Sequence, residues 1–354
     1  MDQNTRRRFL QADGHSAGGY SIVEVLTGDP AIYRVGLPGV MPGFDGFITP
    51  WVIREKASGR CIVVDPGPAA TIPHLVEALD ELGVGEIHYV FLTHAHIDHM
   101  GGLGRFVKGY PEARVVAMGK SHPHLIDPSR LAQASLQTLG ELAKAYGPID
   151  PVPERTILYD GASVDGFDIL ATPGHAPHHL SFVYHTPRGD VLFAGEAAGI
   201  YSTESLRGGV VATEPYLRPA TPPRFFYDVY VDSLERLNRL DVSMILYGHV
   251  GFSYEPRRLM SLHLDQLRLW RAVIADVLGA EGLGGQQPAR QPDARVFDAA
   301  ARRLLREDRL LSQFSLFEDD TRGREESFLE NAIRGFVGYL LELRPGYVVE
   351  PRGR

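Results

Sequence analysis

Seven consecutive residues, Thr93-His94-Ala95-His96-Ile97-Asp98-His99, hold three imidazoles and a carboxylate. This is a set of nitrogen and hard oxygen donors suited to zinc, iron or manganese. In an extended segment, alternate residues point the same way. His94 and His96 can therefore reach one ion, while the turn at Gly101-Gly102 lets Asp98 and His99 face a second. A water between two such ions is acidified toward neutrality and becomes a nucleophile, so no serine or cysteine is required. Further candidates recur downstream at the ends of apolar runs: His175 in Thr172-Pro173-Gly174-His175, then His178 and His179, Glu196 after Leu192-Phe193-Ala194-Gly195, and His249 after a strand-like run and Gly248.

Other groups have a plainer reading. His122 and His124 flank Pro123 and read as solvated loop residues, and Cys61 sits in an apolar run as core packing. Tyr216 and Arg218 lie in a proline-bearing segment, 215–223, that either clamps an anionic substrate or simply crosses the surface. Asp65, in Asp65-Pro66-Gly67, is explicable as a turn former.

The elements that must position these residues follow from hydrophobic periodicity. Residues 20–67 read as β-rich, with apolar runs at 21–25, 47–53 and 61–64 separated by glycine and proline. A helix over 72–82 leads into a strand over 87–93, which delivers the histidines. A strand over 113–117, a helix over 128–146 and short strands near 156–158, 168–171, 180–184 and 191–194 come next. A helix over 225–240 then precedes a strand over 244–247. Beyond Pro256 the pattern turns helical: Leu267, Trp270, Ile274, Val277 and Leu278 share one face. A linker over 279–292 precedes further helices, the last carrying Phe328, Ala332, Ile333, Phe336, Val337 and Leu340. The expected organisation is an α/β protein with an N-terminal tail over 1–19, a catalytic domain over 20–255 and an all-α appendage over 256–354.

Composition narrows the function classes. The 354 residues are 44% hydrophobic, ordinary for a packed globular protein, and carry a formal net charge of −8, which offers a polyanion no general attraction. Nucleic acid is therefore not an expected partner. The single cysteine forbids an intramolecular disulfide, excludes a cysteine-built metal site and fits a reducing, cytoplasmic setting. Thr5-Arg6-Arg7-Arg8-Phe9-Leu10-Gln11 looks like a twin-arginine export signal, but the polar stretch after it argues for a basic surface tail. No run reaches the ~18 apolar residues of a membrane span.

Taken together, the motifs resemble the His-x-His-x-Asp-His signature, the Thr-Pro-Gly-His turn, the acid after an apolar strand and glycine, and the late histidine of the metallo-β-lactamase superfamily. The likeness covers roughly residues 20–254. It implies the αββα sandwich of that family; the C-terminal helices resemble covers with which some members narrow substrate access or form a homodimer, or else their apolar faces simply pack on the β-sheets. It also implies two divalent ions, zinc first, with iron or manganese as alternatives. His94, His96 and His175 would hold one ion, Asp98, His99 and His249 the other, and Glu196 would bridge them. Asp98 would also assist proton movement. Most of the family has Asp where Glu196 stands. The longer side chain either bridges with altered metal spacing or leaves the second site weakened. The pattern His175-Ala176-Pro177-His178-His179 looks like that of glyoxalase II-like members, so that His178 and His179 either orient a ligand or simply stabilise the turn. Asp65 resembles a position beneath the metal site, and segment 215–223 borders the active-site mouth in this family.

The function implied is hydrolysis of a small-molecule thioester, ester or lactone by a hydroxide held between the ions. The alternatives are a phosphodiesterase, an iron-dependent oxidoreductase or dioxygenase of the same fold, and a non-catalytic metal-binding regulator. Flavodiiron relatives carry Glu where His96 stands and have a flavin domain, and neither feature is evident here.

Overall fold

The structure is a computed structural model, and it describes residues 19–158, 163–202, 204, 206–210, 214–222, 225–283 and 292–342. The twin-arginine stretch and most of the linker expected over 279–292 lie outside these residues. The chain forms two compact units that interleave in sequence. One comprises Met1–Ala171, His178–Arg188 and Gly248–Val250, the other Thr172–Pro177, Gly189–Tyr247 and Gly251–Arg354. The division does not fall at Pro256, because the C-terminal helices are packed into the same unit as residues 189–247.

The first unit is built on a seven-stranded sheet, in the order β1 (Ser21–Leu26), β2 (Ala31–Gly36), β3 (Trp51–Arg54), β4 (Cys61–Val64), β5 (Tyr89–Phe91), β6 (Arg114–Val116) and β7 (Ile157–Leu158). The pairs from β1 to β4 are antiparallel, and those from β4 to β7 are parallel. Parallel neighbours need crossovers. α1 (Ile72–Glu81) supplies the first, with Ile72, Leu75, Ala78 and Leu79 buried at helical spacing. α2 (Ile97–Met100) and α3 (Leu103–Gly109) supply the second, and α4 (His122–Ile126), α5 (Ser129–Leu139) and α6 (Glu141–Tyr146) the third. The helix expected over 128–146 is thus two, broken at Gly140, whose φ of 56° and ψ of −119° suit a residue without Cβ. His122 and His124 lie on α4, both half-buried, and not in a solvated loop. Pro123 in the first turn of α4 favours a helix start. β4 is buried throughout, as a strand flanked on both sides in a sheet should be, and Cys61 is core as expected. Burial pushes the Cys61 thiol up to about 12, so it is not a thiolate near neutrality. An antiparallel hairpin, β8 (Phe167–Ala171) with β9 (Leu180–Tyr184), packs Phe167 and Phe182 against Phe91, at ring separations of 4.6 and 4.8 Å.

In the second unit, β10 (Val191–Gly195) runs parallel to β13 (Met244–Tyr247), which pairs antiparallel with β14 (Phe252–Ser253). β11 (Ile200–Ser202) and β12 (Tyr216–Arg218) form a separate antiparallel pair. α7 (Tyr227–Asn238) lies between β12 and β13 in sequence. α8 (Pro256–Ala280), α9 (Ala294–Glu307) and α10 (Asp319–Glu342) follow. The apolar face expected on the first C-terminal helix is the buried face of α8: Leu267, Trp270, Ile274, Val277 and Leu278 are all buried. On α10, Ala332, Ile333, Phe336 and Val337 are buried, while Phe328 and Leu340 are half-buried.

Candidate metal centre

In the first unit, the chain leaving β5 is fastened before it reaches the histidines. Asp65, at positive φ of 51° just past β4, accepts from the Thr93 amide at 2.8 Å and from the Thr93 hydroxyl at 2.6 Å. Its Oδ2 also lies 2.9 Å from His99 Nδ1. A carboxylate with these partners is an acceptor, so the His99 proton sits on Nδ1 and Nε2 carries the lone pair. His94 follows the same logic. The Thr93 hydroxyl has given its proton to Asp65, so its oxygen accepts from His94 Nδ1 at 3.0 Å, and His94 Nε2 is turned to His96 Nδ1 at 2.9 Å.

His249 arrives from the far end of the chain and meets this loop. Its ring stacks on Phe47 at 4.3 Å, and its Nδ1 faces the Phe47 carbonyl at 3.3 Å. A carbonyl only accepts, so His249 too carries its lone pair on Nε2. The next residue, Val250, is at a φ of 59°. Its amide bonds Phe47 O, and its carbonyl accepts from Arg34 Nη1 at 2.7 Å.

The outcome is a convergence of acceptors. His99 Nε2 and His249 Nε2 are 3.2 Å apart, and Asp98 Oδ2 is 3.7 Å from the first and 3.5 Å from the second. Ligand atoms of Asp98, His99 and His249 all lie within 4.8 Å of one another. Two imidazole lone pairs and a carboxylate facing one another repel unless a cation lies among them, so these residues fit a bound metal ion. His94, His99 and His249 are buried, whereas His96 and Asp98 are partly exposed. His179 is fully buried, with its ring 5.2 Å from that of His94, and His178 Nδ1 accepts from the Ala95 amide at 3.4 Å. Both therefore pack on or bond to the histidine loop.

The second unit brings His175 and Glu196 together. Gly174, at a φ of 141°, passes so close to α7 that a Cβ there would lie 2.5 Å from Tyr230 Cα, so only glycine fits the turn. His175 Nδ1 donates to Ala220 O at 2.8 Å, leaving Nε2 as an acceptor 2.7 Å from Glu196 Oε2. Again two acceptors converge, which suits a cation or a shared proton.

Tyr216 and Arg218 are a correction. They are buried on β12, at 1% and 2% exposure, and the Tyr216 hydroxyl and Arg218 Nε donate to Glu325 Oε2 at 2.8 and 2.6 Å. The guanidinium is matched by a buried carboxylate, so neither residue lines an open mouth loop or clamps a substrate. Burial alone would raise the Glu325 pKa, but Arg218 and Arg324 outweigh it and hold the carboxyl below its ordinary value. Glu325, Arg324 and Arg34 were not singled out from the sequence, since each acts through a partner far away along the chain. Thr93 was visible within the histidine motif, but its bond to Asp65 was not.

An α/β chain whose strand ends carry a His-x-His-x-Asp-His loop, with buried histidine and carboxylate groups turned toward one another, is a metal-binding protein of the hydrolase type. The family model of the metallo-beta-lactamase superfamily matches residues 43–249, and the chain belongs to that superfamily. Its fold is the metallo-β-lactamase fold, α/β with a C-terminal helical region. The chain is 29% identical over 216 residues to a metallo-beta-lactamase fold-containing protein of Sulfurisphaera tokodaii, covering 58% of this chain and 74% of that one. It is also 29% identical over 171 residues to a hydroxyacylglutathione hydrolase of Aeromonas salmonicida, covering 46% of this chain and 52%, about half, of the hydrolase. The crystal structure of a beta-lactamase domain protein from Burkholderia ambifaria matches with a TM-score of 0.57 at 18% identity, over 93% of this chain and 90% of that one, a likeness of fold. Among the described residues, no helix is long and apolar enough to cross a membrane.

Proposed function

We propose that this chain is a metal-dependent hydrolase of a small-molecule thioester, ester or lactone, acting in the cytoplasm. In this reading His94, His96 and His175 would hold one divalent ion and Asp98, His99 and His249 a second, with Glu196 as a further ligand. The observation that carries it is the pair of facing Nε2 atoms on His99 and His249, each with its Nδ1 committed to an acceptor. A donor set of imidazole nitrogen and carboxylate oxygen without sulfur favours zinc and accommodates iron or manganese. Bound there, the ions would acidify a water toward neutrality and polarise a carbonyl oxygen.

The residues of the chain supply the remainder. Asp65 and Thr93 fix the tautomers of His99 and His94, so that ligating nitrogens need not shed a proton. Asp98, partly exposed and with Oδ2 close to both Nε2 atoms, is placed to take up a proton during turnover. The substrate class draws support from the hydroxyacylglutathione hydrolases among the relatives and from a net charge of −8 that disfavours polyanions. The test is turnover of thioester, lactone and phosphodiester panels by the zinc-loaded chain, with chelator treatment and His96→Ala. Hydrolysis of a thioester or lactone that vanishes on chelation, returns with zinc and is lost in His96→Ala is expected. Activity on phosphodiesters alone would overturn the substrate class, and substrate oxidation with uptake of dioxygen would overturn hydrolysis.

A further inference from the structure

Tyr230 on α7 is 1% exposed, and its hydroxyl joins both ends of the turn that begins with Glu196. It donates to Glu196 O at 2.8 Å and accepts from the Gly199 amide at 2.8 Å. Behind it, on α8, His263 Nε2 lies 3.3 Å from the same hydroxyl, and His263 Nδ1 lies 2.8 Å from Gln266 Oε1. Gln266 Nε2 donates to Leu217 O at 2.6 Å and to Asp308 Oδ2 at 2.7 Å. Asp308 is tied in turn by Trp270 Nε1 at 2.7 Å and by the Leu310 amide at 2.9 Å.

The polarity of this chain is fixed from its far end. Leu217 O and the Asp308 carboxylate accept, so the Gln266 amide nitrogen faces them and its oxygen faces His263, whose Nδ1 must donate. Burial lowers the His263 pKa to about 4, so the ring is neutral and Nε2 is an acceptor. The phenol proton therefore has acceptors on both sides, of which Glu196 O is the nearer.

The same helices hold the neighbouring ligand candidate. Ala220, whose carbonyl fixes His175, follows β12. That segment is fastened to α10 by the bonds of Tyr216 and Arg218 to Glu325 and by Thr221 Oγ1 to Ala332 O at 3.0 Å. Gly199 permits the close approach: a Cβ there would lie 2.7 Å from Arg218 O and 2.8 Å from His263 Nε2.

We infer that Tyr230 is a positioning residue for Glu196, and that the C-terminal helices, through His263, Gln266 and Asp308, are the frame that holds the His175 and Glu196 half of the metal centre. The inference rests on the reading of Glu196 as a metal ligand. Losing the phenol hydroxyl leaves the buried Glu196 carbonyl and Gly199 amide to each other at 3.3 Å, and the turn is then free to move the carboxylate.

The experiment measures zinc affinity of the full chain by competition with a chromogenic chelator, with melting of the metal-free chain recorded in parallel. Tyr230→Phe keeps the ring and is expected to weaken zinc binding by about tenfold or more, in the same direction as Glu196→Gln. His263→Leu leaves the phenol in place but cuts its link to Gln266, and should fall between Tyr230→Phe and the unsubstituted chain. Tyr339→Phe removes a phenol bond to Asp228 elsewhere in the same unit and should leave zinc affinity unchanged. A Tyr230→Phe chain that melts lower yet binds zinc as the parent does, while Glu196→Gln binds more weakly, overturns the positioning role alone. Unchanged zinc affinity in Glu196→Gln overturns the ligand reading itself and the inference with it.

Discussion

Replacing Asp65 by asparagine tests whether a single buried oxygen sets the protonation of the metal-facing histidines. Asp65 accepts three hydrogen bonds, from the Thr93 amide, the Thr93 hydroxyl and His99 Nδ1. Asparagine can keep its oxygen on the Thr93 amide, and its NH2 then meets two groups that were donors. A hydroxyl answers by rotating. An imidazole answers only by moving its proton to the other nitrogen, and that nitrogen is His99 Nε2, which lies 3.2 Å from His249 Nε2. The side chain would thus present N–H where a ligand lone pair is required. Loss of an orienting partner of this kind lowers metal affinity by about 10- to 100-fold, which is ~1.4–2.7 kcal/mol at 25 °C. Competition of metal-free Asp65→Asn protein against a zinc chelator measures it directly. Zinc binding as tight as that of the parent chain would refute the tautomer argument.

Two further predictions concern the second unit. Glu325→Leu strands Arg218 in a buried position and should destabilise the chain by about 3–5 kcal/mol, read from urea unfolding. Because the Glu325 pKa is held below its ordinary value, its contribution is present above the unfolded-state pKa and lost as pH falls through the folded one. Glu325→Gln should therefore flatten the acid side of the stability profile, and an unchanged profile would count against the pairing. His263 behaves as a buried base facing Tyr230 and Gln266, with Asp308 beyond. Its pKa falls from 6.5 to about 4 on burial, so on acidification the unfolded chain takes up a proton across that window and the folded chain does not. Stability is full above 6.5 and declines by roughly 3 kcal/mol toward pH 4. The metal-free His263→Asn chain should lack that decline, and parallel pH profiles for the two would refute it.

The parts of the site legible in sequence are those that neighbouring residues determine. The histidine loop, its approach from a strand and its turn at Gly101-Gly102 lie within one short stretch; the strand and the turn stand where the pattern puts them, whereas Asp98 and His99 lie on the short helix α2 ahead of that turn. His175, Glu196 and His249 are marked locally only by standing at the ends of apolar runs, and it is the order in which family-like motifs recur that implies a ligand role for them. What escaped the sequence depends on partners far along the chain. Arg218 among prolines looks like a solvent-facing cation until Glu325, 107 residues on, is seen to neutralise it. Tyr230, His263 and Asp308 each fit an ordinary amphipathic helix or turn, and only the fold joins them. The helix break at Gly140 and the helix start at Pro123 are different in kind: Gly140 interrupts an apolar spacing that continues across it, and Pro123, which suits a helix start as well as a loop, does not by itself decide between the two.

The most direct test of the central claim is the metal content of the full chain, measured by elemental analysis on protein purified without added metal. Two equivalents of a divalent metal per chain are expected, zinc foremost. One equivalent or none would contradict that claim, and would mean that Glu196, standing where most of the family has aspartate, does not support a second ion.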